Sequence, residues 1–170
     1  MKEEELLEKA YKLAYKYEAE RGSCPQCVLS AIIETLEINE AQIIKTADGL
    51  AGGVSLSSDG TCGALSGGIM ALGVFFGRTY EEFSNNTGSR KIFYYTKKLL
   101  NKFRKEYGQI LCKDVQKKLF GRSFKLSDKK EYSQFEKQGA HVDKCPKVAG
   151  NVARWTLEII LKHHKKTLKK

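Results

Sequence analysis

At 170 residues and 19.2 kDa, the chain suits one domain with a real hydrophobic core. Its 41% hydrophobic and 29% charged residues exclude a largely disordered chain. No apolar run reaches the roughly 20 residues needed to cross a bilayer; the longest, residues 62–76, is short and rich in glycine. The net charge of +10 is uneven, with 8 basic against 13 acidic side chains over residues 1–90 and 13 against 3 over residues 91–130. Lysine far outnumbers arginine, whereas phosphate and base recognition favours the arginine fork. Solvated lysine-rich helix faces are therefore the expectation over a nucleic-acid surface.

Helical periodicity runs through the chain. Residues 3–20 place Leu6, Leu7, Ala10, Leu13, Ala14 and Tyr17 three and four apart, with acids in the first turn, and predict a first helix. Arg21-Gly22-Ser23 breaks it. Pro25 suits the first turn of a second helix to about residue 36, with Val28, Leu29, Ile32, Ile33 and Leu36 inward. Asn39 is the expected cap of a short third helix reaching about residue 47. Residues 48–61, DGLAGGVSLSSDGT, have no period and read as a loop. A fourth helix follows over residues 62–76. Thr79 and Glu82 form a capping box that opens a helical region over residues 79–106, with a break near Asn85-Asn86. A short helix covers residues 114–119, and residues 121–140 read as a loop or two short turns. The last helix runs over residues 146–161 or beyond, with Val148, Val152, Trp155, Ile159 and Leu161 inward. No strand and no internal repeat is found. The expected fold is all-α: a compact bundle of about five to seven helices with a glycine-rich loop before a central helix. It comprises one domain over residues 1–162 and a basic tail over residues 163–170.

The first ten residues, MKEEELLEKA, are acidic and amphipathic, unlike a signal peptide, so a cytoplasmic location is expected. In a reducing compartment cysteine groups are more often metal ligands or redox centres than structural disulfides. The two prolines both follow cysteines, at Cys24-Pro25 and Cys145-Pro146. Proline favours the first helical position, which places both cysteines at helix starts. Cys62 opens the fourth helix, and Cys112 lies just before the short one. A helix start offers unpaired N–H groups and about half a positive charge, and both favour the thiolate that binds metals and attacks disulfides. Cys24, Cys62, Cys112 and Cys145 are therefore read as one redox or metal site.

Cys27 completes a Cys24-Pro25-Gln26-Cys27 spacing like that of a thioredoxin dithiol, without the surrounding βαβ pattern. It is an auxiliary thiol or a core residue beside Val28 and Ala31. Gly60, Gly63 and Gly67 flank Cys62 in a pattern that is neither the dinucleotide fingerprint nor a Walker loop. They suit close helix packing and, compatibly, a backbone approaching a cofactor. With Gln26 they are the site-shaping candidates. His141, four residues before Cys145, is a lesser candidate ligand, and His163 and His164 are expected in solvent. No Cys-x-x-Cys-His is present, so haem attachment is not expected.

These features together resemble the family of proposed redox-active proteins named for its cysteine pattern, C_GCAxxG_C_C, over roughly residues 20–162. Ser23-Cys24-Pro25-Gln26-Cys27-Val28 matches its first motif, with Cys27 in place of a small residue. Gly52-Gly53 and Thr61-Cys62-Gly63-Ala64-Leu65-Ser66-Gly67 match its glycine-rich centre. Cys112 follows Phe103 and Tyr107-Gly108, and Cys145 precedes the terminal helix. The resemblance implies four cysteines acting as a unit in a redox role. It extends to a module of split-Soret cytochromes, which implies an iron–sulfur centre.

Three readings follow. The first is an electron-transfer protein whose four cysteines hold an iron–sulfur cluster or other metal, with a redox partner the sequence does not name. The second is a cofactor-free thiol–disulfide protein. The third is a basic module for nucleic acid or an anionic surface. No nucleophile with a His–carboxylate pair stands out as an enzyme site, and the oligomeric state is not encoded legibly.

Overall fold

The computed structural model describes residues 2–39 and 41–167, with the side chains of residues 164–167 left aside. Its eight α-helices are α1 (Glu3–Arg21), α2 (Cys24–Thr35), α3 (Gly63–Phe76), α4 (Tyr80–Ser84), α5 (Lys91–Tyr107), α6 (Cys112–Phe120), α7 (Lys129–Lys137) and α8 (Cys145–Thr167). A 3-10 segment spans Ala41–Leu50 and a π-helical turn spans Ala140–Lys144. Among the described residues there is no strand, only an isolated antiparallel bridge between Thr61 and Leu111. The all-α expectation holds, with more helices than the five to seven expected. Among the described residues no helix is long and apolar enough to cross a membrane.

Four expectations are corrected. The third helix is a 3-10 segment, and Glu40 beside its expected cap lies outside the described residues. The polar stretch 121–140 contains α7, capped by Asp128, whose side chain accepts from the N–H groups of Lys130 and Glu131. Cys145 does not sit at a free helix start: the π turn feeds directly into α8, and the Cys145 N–H bonds to Ala140 O. A π turn shifts the hydrogen-bond register, which lets Pro146 follow without leaving a broken ladder. His163 is not in solvent. It packs against Phe76 and Tyr95, and its Nδ1 lies 2.5 Å from the Tyr95 hydroxyl. His164's side chain and residues 168–170 lie outside what is described.

The main core is built where α1, α2, α3, α5 and α8 meet. Leu29, Ile32, Leu65, Leu72, Leu99, Phe103, Val152, Leu157 and Ile160 are among its fully buried members. Small residues bring the backbones close. A Cβ on Gly67 would overlap the Pro25 carbonyl, so only glycine lets α3 cross α2 there. A second apolar cluster, Phe124, Leu126, Phe135 and Ala140, lies under the chain after α6. Cys24 and Cys62 belong to the main core, whereas Cys112 and Cys145 pack on the second cluster. The four cysteines thus mark the seam between the two.

The glycine-rich loop is folded as a left-handed turn. Gly52, Gly53, Val54, Ser55 and Leu56 have φ of 59°, 72°, 66°, 51° and 57°, and Ser58 has φ of 66°. For each non-glycine residue this costs about 1–2 kcal/mol. Cross-loop hydrogen bonds hold it, including Ser55 N–H to Gly49 O at 2.9 Å and Gly60 N–H to Gly53 O at 2.8 Å.

Candidate functional site

Cys24 is the first residue of α2, Cys62 the N-cap of α3, Cys112 the first residue of α6, and Cys145 the first residue of α8. All four line one cavity of about 160 Å³. Two features of the backbone place them. The antiparallel bridge between Thr61 and Leu111 ties together the two segments that carry Cys62 and Cys112, with Cys62 N–H on Ile110 O at 2.8 Å and Cys112 N–H on Gly60 O at 2.9 Å. The close crossing of α2 and α3 brings Cys24 to the same place: a Cβ on Gly63 would overlap the Cys24 sulfur.

Hydrogen-bond donors surround three of the sulfurs. The N–H of Gly52, from the left-handed turn, favours the ionised form of Cys24. Those of Leu65 and Ala64, in the first turn of α3, favour the ionised form of Cys62. Gln116 Nε2 donates to Cys112 at 3.4 Å. Burial nonetheless outweighs these donors. It pushes Cys62 to about 11 and Cys112 to about 12 from an ordinary thiol value near 9, and Cys24 and Cys145 well above it. The expectation that helix starts yield thiolates is therefore corrected. A helix terminus contributes about 0.3–1 kcal/mol, up to ~2 in a partly buried setting, whereas burying an unpaired charge costs far more. Among the described residues no three His, Cys, Asp or Glu side chains converge to hold a single metal ion.

The profile described as "Putative redox-active protein (C_GCAxxG_C_C)" matches residues 22–159, from just before α2 into the last turns of α8. The chain belongs to this family. No curated protein and no solved structure matches it.

In this C_GCAxxG_C_C protein the matched segment contains every cysteine and leaves out the whole of α1. Cys27, the auxiliary thiol, is buried, donates to Gly22 O at 2.8 Å and lines a separate outer pocket with Gln26. Gln26 is not at the cavity; its Nε2 donates to Ile44 O at 3.2 Å and pins the 3-10 segment to α2. Gly60 lies behind Cys112: a Cβ there would meet Gly53 O at 2.6 Å. Gly63 lies against Cys24 and Gly67 against Pro25. His141 lines the cavity.

Two further residues were missed by sequence reasoning. Gln116, only 2% exposed, accepts from Phe124 N–H at 2.7 Å through Oε1 and donates to Ser58 Oγ at 3.2 Å as well as to Cys112. Because the Phe124 N–H fixes which end is oxygen, the amide nitrogen must face the Cys112 sulfur. Glu18, also 2% exposed, lines the cavity from α1. One signal was available: Glu18 falls four residues after Ala14, in register with the buried stripe of Leu7, Ala10 and Ala14.

Proposed function

We propose that this protein is an electron-transfer protein whose redox centre is an iron–sulfur cluster or other metal group held by Cys24, Cys62, Cys112 and Cys145. The observation that carries the reading is that four cysteines, each the first residue or the cap of a different helix, line one cavity. Buried cysteine used only as apolar filler has no reason to gather from positions so far apart in sequence. The donor set fits such a group: all-thiol ligands suit iron–sulfur clusters and other thiophilic metals. N–H donors on Cys24, Cys62 and Cys112 are the kind of contact that sets cluster potential.

When bound, such a group supplies one-electron chemistry. The chain's own part is to hold the four sulfurs, donate hydrogen bonds to them and exclude water with the apolar walls of the seam. The thiols lose their protons on binding, so loading becomes more favourable as pH rises. Five thiols without a disulfide suit a reducing compartment, here the cytoplasm.

The test is anaerobic purification followed by iron, zinc and acid-labile sulfide analysis and reductive titration of the visible spectrum. Metal and sulfide bound in the native protein and lost when Cys62 and Cys112 are replaced by serine is the expected outcome. A colourless, metal-free protein with a reversible dithiol couple would replace this reading with the thiol–disulfide one.

A further inference from the structure

Glu18 presents a physical problem. It sits on the buried face of α1 with 2% exposure, where an ionised carboxylate costs several kcal/mol unless its oxygens are satisfied. Its Oε1 lies 3.6 Å from His141 Nε2, beyond hydrogen-bond length. The nearby Cys27 thiol gives its one proton to Gly22 O and not to this carboxyl group. His141 is itself anchored, with Nδ1 at 2.5 Å from Glu136 Oε1. The second oxygen, Glu18 Oε2, is buried with no partner at all.

Two other buried side-chain oxygens among the described residues share that state, Thr35 Oγ1 and Thr156 Oγ1. Both are helix hydroxyls, which can rotate onto a carbonyl of their own helix. A carboxylate oxygen has no such escape. Glu18 differs from both threonines in a second way, because it lines the cavity of the four cysteines. An unsatisfied buried acceptor placed in a cavity needs something in that cavity to accept from or bind to.

We propose that Glu18 is a fifth protein contact of the group held by the four cysteines, an oxygen donor reaching it from α1 and oriented by His141 and Glu136. The inference rests on the metal-centre reading of the preceding subsection. His141, fixed by Glu136, stands 3.6 Å from the Glu18 carboxyl and biases its orientation electrostatically, the kind of outer contact that tunes oxygen ligands at metal sites. Oxygen is a harder donor than thiolate and binds thiophilic metals less tightly.

The experiment uses the full chain as wild type, Glu18→Gln, Glu18→Leu and His141→Asn. Each is reconstituted anaerobically with ferrous iron and sulfide and compared by iron content, electron paramagnetic resonance and the rate of iron loss to a chelator. The Tm of each reduced, metal-free protein is measured alongside. The expected result is an altered resonance spectrum and at least about tenfold faster iron loss in both Glu18 variants, with His141→Asn changed in the same direction. Metal-free Glu18→Leu should be as stable as wild type or more so, because a buried carboxyl group with an unpartnered oxygen has been removed. Iron content, spectra and chelator rates equal to wild type in both Glu18 variants overturn the proposal. So does a lowered Tm in metal-free Glu18→Leu with unchanged spectra, which marks a structural role. If the wild type itself takes up no iron, the four-cysteine metal reading falls, and this inference with it.

Discussion

Gln116→Leu gives the most demanding test of how the site is held. The side chain makes three hydrogen bonds in a setting without water, joining Cys112, Ser58 in the glycine-rich loop and the Phe124 backbone. Leucine is close in volume, so the loss is polar and creates little cavity. The Phe124 N–H is left buried without an acceptor, which costs about 1–3 kcal/mol. Ser58 keeps its own bond to Phe124 O at 2.8 Å and loses only an incoming donor, and the sulfur contact is weak. The expected net effect is about 2 kcal/mol, or a fall in Tm of about 4–8 °C for a chain of this size. Urea unfolding of the reduced protein measures it as a shift in midpoint at constant slope. Gln116→Glu should be worse at neutral pH and recover on acidification. It keeps an acceptor for Phe124 but buries a charge against Ser58 and the Cys112 sulfur. A Gln116→Leu variant within about 0.5 kcal/mol of wild type, the range of an ordinary surface change, would show that this network does not hold Cys112 in place.

The helix crossings, the left-handed turn and the buried thiols each yield a separate expectation. Gly63→Ala and Gly67→Ala should each destabilise by about 1–3 kcal/mol, because their Cβ atoms meet the Cys24 sulfur and the Pro25 backbone. Gly73→Ala, in the same helix but with open space around it, should stabilise by about 0.5–1 kcal/mol; thermal melts of the three side by side decide whether close approach explains the glycines. Val54→Asn should raise stability by about 1 kcal/mol, since Val54 is a β-branched residue at φ 66° and asparagine tolerates that conformation; a loss of stability would mean that the valine contact outweighs the strain. The reduced, metal-free protein should lose stability as pH rises from about 9, where unfolded thiols ionise, to the folded values of about 11 for Cys62 and about 12 for Cys112. Each of the two contributes about 1.4 kcal/mol per pH unit across its window, and a flat profile from pH 8 to 10.5 in urea unfolding would contradict their burial.

How much of this was legible in the sequence depended on whether a residue's role is written in periodicity. α1, α2, α3 and α8 carry apolar residues three and four apart, and their expected limits fall within a few residues of those observed. α7 was missed because only Phe135 is buried in it, which leaves a polar segment with no stripe to find. The 3-10 segment carries Ile43 and Ile44 as a helix would, and nothing local distinguishes the tighter winding. The left-handed turn is invisible for a different reason. Val54, Ser55 and Leu56 have no preference for positive φ, so only the cross-loop hydrogen bonds reveal what forces them into it. Glu18 and Gln116 read as solvated polar residues because burial of a polar side chain is a tertiary fact.

The cysteines show how a correct placement can carry a wrong electrostatic conclusion. Three of the four do stand at helix starts, and N–H groups do point at their sulfurs. The inference to thiolate failed because it counted the donors and not the dehydration that comes with the seam between two apolar clusters. With that cost included, the same geometry has a different consequence. An empty site keeps its protons, so a thiolate forms there only when a positively charged group arrives to replace them. The N–H groups then act on sulfurs that already hold such a group, where they moderate its charge. Protection of the empty thiols and readiness for a cation are in this way two results of one burial. Replacing the apolar wall residue Leu119 by serine should weaken both together, with faster alkylation of the metal-free thiols and faster loss of bound metal to a chelator. Faster alkylation with metal retention unchanged would separate the two effects and refute the common origin.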